Sequence, residues 1–188
     1  MVRVNGMNKT DLEDEACARS RRWRAIEEAC AAGDLDAFRM MLGDPEGFPD
    51  CRLDVDLFGL ADRPLDIAIQ HGPIDFIARL LALGADPTPP ATDGFPPLFQ
   101  AIDAPRSDRH AVLALLLGKG ADPEQRGLND GTALHHAVAR RDIEAVHLLL
   151  QHGADPTART RIDDLSTPLE DADASGFIEA SEALRRTM

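Results

Sequence analysis

Gly-Ala-Asp-Pro occurs three times, at residues 84–87, 120–123 and 153–156, with starts 36 and then 33 residues apart. Each copy follows an apolar run: RLLAL, LALLLGK and HLLLQH. Fourteen residues after the first two starts come Leu98 and Leu134, each inside a short helical pattern (PPLFQAI, TALHHAV). A fixed period of this length requires stacked supersecondary units, because one such unit cannot bury its apolar face alone.

The best-formed unit is 127–156. Thr132 stands where a helix N-cap belongs, since its hydroxyl can take up a free backbone N–H. Leu134, Ala137 and Val138 mark the buried side of a first helix; Ile143, Val146, Leu149 and Leu150 mark that of a second. Arg140, Arg141 and Asp142 form the polar break between them, and Gly153 closes the second helix in the left-handed conformation that glycine adopts at little steric cost.

The unit resembles an ankyrin repeat, a β-turn plus two helices of about 33 residues with a T-P-L-H-x-A signature. Here the signature reads Thr132-Ala133-Leu134-His135-His136-Ala137, with alanine in place of proline. The resemblance implies an all-α, ankyrin-like repeat solenoid of about five helix-turn-helix repeats with β-turn fingers. It also implies a protein that binds other macromolecules and carries no chemistry of its own.

By register, an N-terminal segment (1–20) leads into one repeat domain (21–188), its repeats near 22–44, 57–87, 91–123, 127–156 and 160–188. A helix is expected over 11–30. Asp34 is placed to cap the next helix, with Leu35, Phe38, Met41 and Leu42 inward. The stretch 43–61 is too long for a standard connection and carries Phe48, Leu53, Val55, Leu57 and Phe58. It is expected to fold back onto the stack or to present apolar side chains to a partner. Repeat three has a three-residue surplus within 103–109 (DAPRSDR). The last helix, 177–186, reads as shorter and more polar than the others, as a capping unit should be.

Composition narrows the function. The chain has 188 residues, one tryptophan (Trp23), no tyrosine and a formal charge of −13, so the core must be aliphatic. That charge argues against general nucleic-acid binding and favours a protein partner with a basic surface. No stretch is apolar enough for a membrane span or a signal peptide. Cys17, Cys30 and Cys51 lack CxxC spacing, the pattern of reduced cytoplasmic thiols. A monomer is expected.

No catalytic, metal-binding or cofactor-binding arrangement stands out. Gly118-Lys119-Gly120 ends a helix, whereas a phosphate loop opens one. The histidines match no ligand spacing. In the family, the signature histidine, here His135, makes local hydrogen bonds that fix the finger to the helix. Asp86, Asp122 and Asp155 read as turn-formers. The basic cluster Arg19, Arg21, Arg22 and Arg24 reads as the solvated face of a capping helix.

Ankyrin-like stacks bind through the fingertips and inner helices. Mapped by register, the fingertips carry Thr92, Asp93, Phe95, Leu128 and Asn129, and the inner-helix ends carry Gln70, His71, Asp103 and Arg140. Phe95 has two readings, a binding anchor or a side chain packed against its neighbours. Asp130 stands where the fingertip glycine is expected, with Gly131 one residue later, which points to a shifted turn. The leading expectation is a non-catalytic adaptor, inhibitor or immunity-type protein. The alternatives are an effector delivered into a host cell, or a small hydrolase or metal protein assembled from the 43–61 loop and the groove, with Cys51, His71 and an aspartate.

Overall fold

The computed structural model describes residues 9–53, 63–90, 94–162 and 165–188. Thr92, Asp93, Val55, Leu57 and Phe58 lie outside them, as do residues 54–61 of the long connection. Ten α-helices occur among the described residues, and no strand. They are α1 (Lys9–Ala31), α2 (Leu35–Leu42), α3 (Pro64–His71), α4 (Ile74–Ala82), α5 (Pro97–Asp103), α6 (Arg109–Gly118), α7 (Ala133–Ala139), α8 (Ile143–Gln151), α9 (Pro168–Ala174) and α10 (Ile178–Thr187).

The helices pack as five successive pairs, and the pairs stack. The first members form one layer, α1 on α3 on α5 on α7 on α9, while α4, α6, α8 and α10 follow one another in the second. One apolar core runs through the stack, from Ile26 and Phe38 at one end to Phe177 and Leu184 at the other. The signature leucines Leu65, Leu98 and Leu134 are all buried in it. The core is held by aliphatic burial and a few rings, of which Phe38 and Phe76 meet edge-on at 5.2 Å between centroids.

The breaks between elements follow the local chemistry of the sequence. Asp34 and Asp142 cap α2 and α8, their carboxylates accepting from Ala37 N–H (3.0 Å) and Ala145 N–H (3.1 Å). In the Gly-Ala-Asp turns, Asp86, Asp122 and Asp155 each accept from the N–H two residues on, at 2.8–2.9 Å. The backbone N–H of each of these aspartates reaches back to the preceding unit, to Asp50 Oδ1, Thr88 Oγ1 and Glu124 Oε1. Each turn is therefore seated by a side chain 31–36 residues earlier.

Several expectations change in detail. The helix expected over 11–30 extends by two residues at its start and one at its end. α10 has ten residues against nine for α8, so the last helix is not shortened; its polar outer face is what suits it to the end of a stack. Within the described part of the long connection, Phe48 packs edge-on to Phe38 at 6.5 Å, and Pro49 and Cys51 are buried. This part folds back. Of the basic cluster on α1, Arg22 donates to the carbonyls of Met41 and Leu42 and so closes the C-terminus of α2.

Candidate functional site

The candidate surface is made by the fingers and the first-layer helices, and each joint between pairs is closed differently. Between the first two pairs, His71 on α3 lies 3.6 Å from Glu27 on α1 and meets Trp23 edge-on at 6.0 Å. At the next joint, Gln100 donates to Asp66 Oδ1 (2.9 Å) and to the Phe95 carbonyl (3.0 Å), tying α5 to α3 and to its own finger. Gln70, nearby on α3, is half-buried.

The third joint is the most elaborate. Asp103 at the end of α5 accepts from His136 Nε2 at 3.0 Å and from Arg140 at 2.5 Å. The His136 ring stacks on Phe99 with centroids 4.4 Å apart and planes 16° apart, and Phe95 stands edge-on to both. Phe95 is half-buried and packed against the core, so the packed reading of this residue accounts for its position. Burial lowers the pKa of His136 and the Asp103 carboxylate pulls it partly back.

At the fourth joint His135 performs the anchoring that the family resemblance implies. Its Nδ1 accepts from Thr132 N–H (3.2 Å) and lies 2.9 Å from the Thr132 hydroxyl, while Nε2 meets the Ser166 carbonyl at 3.1 Å. A carbonyl only accepts, so the proton sits on Nε2 and Nδ1 is the acceptor. Burial lowers the pKa of this ring and favours that neutral form.

In the finger over this joint the shifted turn expected from Asp130 does not form: Asp130 itself takes the left-handed backbone that Gly94 takes at the same register position (φ 79°), and Gly131 is extended (φ −73°, ψ 153°). Residues Leu128–Asp130 form a 3-10 turn in which Asn129 and Asp130 both take left-handed backbone (φ 54° and 57°). The turn is closed by Gly127 N–H to the Gly131 carbonyl at 3.0 Å. Gly127 is required for another reason: a Cβ there would lie 2.8 Å from Gly94 O, Phe99 and Pro96, where the preceding finger passes. Asp130 accepts from Arg161 at 2.8 and 3.0 Å, and this pairing, with the charge of Arg126, holds its pKa down to about 2.

Between these fingers and α7 and α9 lies an open groove of about 260 Å³. Leu128 and Ile162 line it while 49% and 51% exposed, and Asn129, His135, Ala139 and Asp171 line it too. Of the residues mapped to the surface from sequence, Leu128 and Asn129 reach this groove, while Asp103 and Arg140 spend their charge on each other. Ile162 and Asp171 were missed, because their place in the groove depends on side chains of the preceding unit, Leu128 and Ala139.

Other clusters outside the groove serve the joints. Arg106, in the surplus segment, donates to the carbonyls of Ile69 (3.0 Å) and Gly72 (2.7 Å) and so closes α3. Buried Asp142 takes His110 at 2.8 Å and Arg109 at 3.1 Å; burial alone would raise its pKa, and these hydrogen bonds bring it below the usual carboxylate range. Among the described residues, no group of three or more His, Cys, Asp or Glu is gathered as for a metal ion, and no helix is long and apolar enough to cross a membrane.

Residues 65–160 and 98–186 match the sequence profile of ankyrin repeats, given as three copies. The chain belongs to the ankyrin-repeat family. It is 39% identical over 93 residues to an ankyrin repeat-containing protein of Treponema pallidum, covering 49% of this chain and 30% of that protein. Over 116 residues it is 33% identical to a protein named as an E3 ubiquitin-protein ligase in Oryza sativa (62% of this chain, 22% of the relative). Over 160 residues it is 36% identical to an ankyrin repeat and KH domain-containing protein of Caenorhabditis elegans (84% and 6%). The chain thus spans less than a third of the length of these relatives. Ankyrin repeats are in general protein–protein interaction modules and generally non-enzymatic.

Proposed function

We propose that this ankyrin-repeat chain is a non-catalytic docking module, an adaptor, inhibitor or immunity-type protein, that holds a protein partner on its fingers and first-layer helices. The observation that carries this reading is the pair Leu128 and Ile162, half-exposed apolar side chains on adjacent fingers over an open groove. The scaffold has no use for them there, and apolar side chains beside a recess are what a partner's anchor residue needs. The net charge of −13 supports a partner with a basic surface. Free thiols at Cys17, Cys30 and Cys51 support a reducing, cytoplasmic location.

The hydrolase alternative draws no support from Cys51. It is buried, and that burial raises its thiol pKa, so the nucleophilic thiolate is disfavoured. An effector delivered to a host cell would use the same docking surface in another compartment.

Site-specific photo-crosslinking tests the reading. A photoreactive residue replaces Leu128 in one protein and Ile178, an exposed residue of the outer layer, in another, and both are irradiated in lysate of the source cells. A discrete adduct formed from position 128 and not from 178 is expected. Adducts formed only from 178 would put binding on the other face and overturn it.

A further inference from the structure

The fourth joint lacks the bridge that closes the third. At the third joint, the residue five after the signature leucine of one pair (Asp103, after Leu98) reaches the residue two after the signature leucine of the next (His136, after Leu134). The same two positions at the fourth joint are Ala139 and Asp171. A methyl group stands where a carboxylate arm would cross, and the span stays open as the groove that both residues line.

Asp171 is left with its charge unmatched by a contact. Its side chain makes no hydrogen bond or ion pair among the described residues, although its field acts on His135. The surrounding charges are committed elsewhere: Asp103 to Arg140, Asp130 to Arg161, Glu170 to Arg159, and Asp173 to Arg185. The remaining arginine near this joint, Arg141, donates to the Ser175 carbonyl at 3.1 Å and lies over the Phe177 ring, so among the described residues no arginine makes a contact with Asp171. The recess combines an anionic group, a half-exposed leucine and isoleucine, and the polar side chains of Asn129 and Thr160.

We propose that this joint receives an arginine side chain of the protein partner, with Asp171 as its counter-ion and Leu128 and Ile162 flanking its methylenes. The proposal rests on the docking reading above and adds the chemistry of the anchor. An arginine stem packs along apolar surface while its head keeps its charge. Its planar fork offers five donors, enough for the carboxylate together with the Asn129 and Thr160 oxygens; a lysine presents a single point charge. The arginine would restore, from outside, the bridge that Ala139 omits.

The test begins with a displayed library of random heptapeptides selected on the full chain. Selected peptides are expected to share one arginine beside an apolar residue. The strongest is then compared with its citrulline analogue, which keeps the shape and removes the charge. On the native chain citrulline should bind about tenfold or more weakly. On Asp171→Asn the two should differ by less than about twofold, as a lost pairwise coupling requires. Ala139→Arg, which supplies an internal cation to the recess, should also abolish the preference, and both variants are checked for unchanged melting.

Selected peptides without a cation, no selected peptide at all, or a citrulline penalty that survives Asp171→Asn would each overturn the arginine assignment. The docking reading fails separately, by the crosslinks from position 128. If those persist while the arginine preference is absent, the surface stands and its anchor is of another kind.

Discussion

His135 shows how much one ring can fix. It receives the Thr132 N–H on one side and donates to the Ser166 carbonyl on the other, so a single neutral imidazole ties a helix start to the next finger. Its folded-state pKa, like that of His136, lies below the ordinary 6.5. Between the folded value and 6.5 the unfolded chain binds more protons than the folded one. Stability is therefore complete above about pH 6.5 and declines as pH falls through the folded values. Urea midpoints should drop between about pH 7.5 and pH 5.5, and the drop should shrink in His135→Gln/His136→Gln, although that variant is less stable at both values. An equal drop in the variant would assign the pH dependence to other groups.

At the scale of elements, Asp142 joins two helices that the sequence separates. It caps α8 through Ala145 N–H and takes His110 and Arg109 from α6, while only 8% exposed. Asp142→Ala removes the cap together with the acceptor of Arg109 and of the His110 Nε2, so it should cost about 3 kcal/mol in denaturant unfolding. Asp142→Asn keeps a capping oxygen and should cost less; equal losses would mean that the cap contributes nothing.

The same residue marks what could be read from sequence. It was read only as part of a polar break, whereas the capping role of Asp34 was legible, because a cap involves neighbours in the chain. So were the turn aspartates and the buried leucines, which depend on local geometry and period. Its bonds to His110 lie 32 residues away and obey no motif. Arg106 was seen only as part of a surplus, and its grip on the end of α3 depends on the path of the loop. Phe95 and Asp103 were mapped to the partner-binding surface, but their burial and pairing depend on Phe99, His136 and Arg140, which no local motif brings to them. Asp171 was invisible because what singles it out is a missing arm at Ala139.

For the whole molecule, each pair touches mainly its neighbours, so stability should be distributed along the stack. Pairs in the middle are supported on both sides, and α1 and α10 on one. Native-state hydrogen exchange should find the slowest amides in α5 to α8 and progressively faster exchange toward α1 and α10. Uniform protection from end to end would mean a single cooperative unit instead.

The unlike joints carry a consequence for how such a chain can change. Glu27 meets His71, Asp66 meets Gln100, Asp103 meets His136, and Ala139 meets no matching arm. A duplicated unit inserted beside its parent would face the wrong complement: a second copy of the α5–α6 pair would set Asp103 opposite Gln100, with neither His136 nor Arg140 to receive it. The order of units is thus written into their edges, and lineages can lengthen this array only by rewriting a joint at the same time.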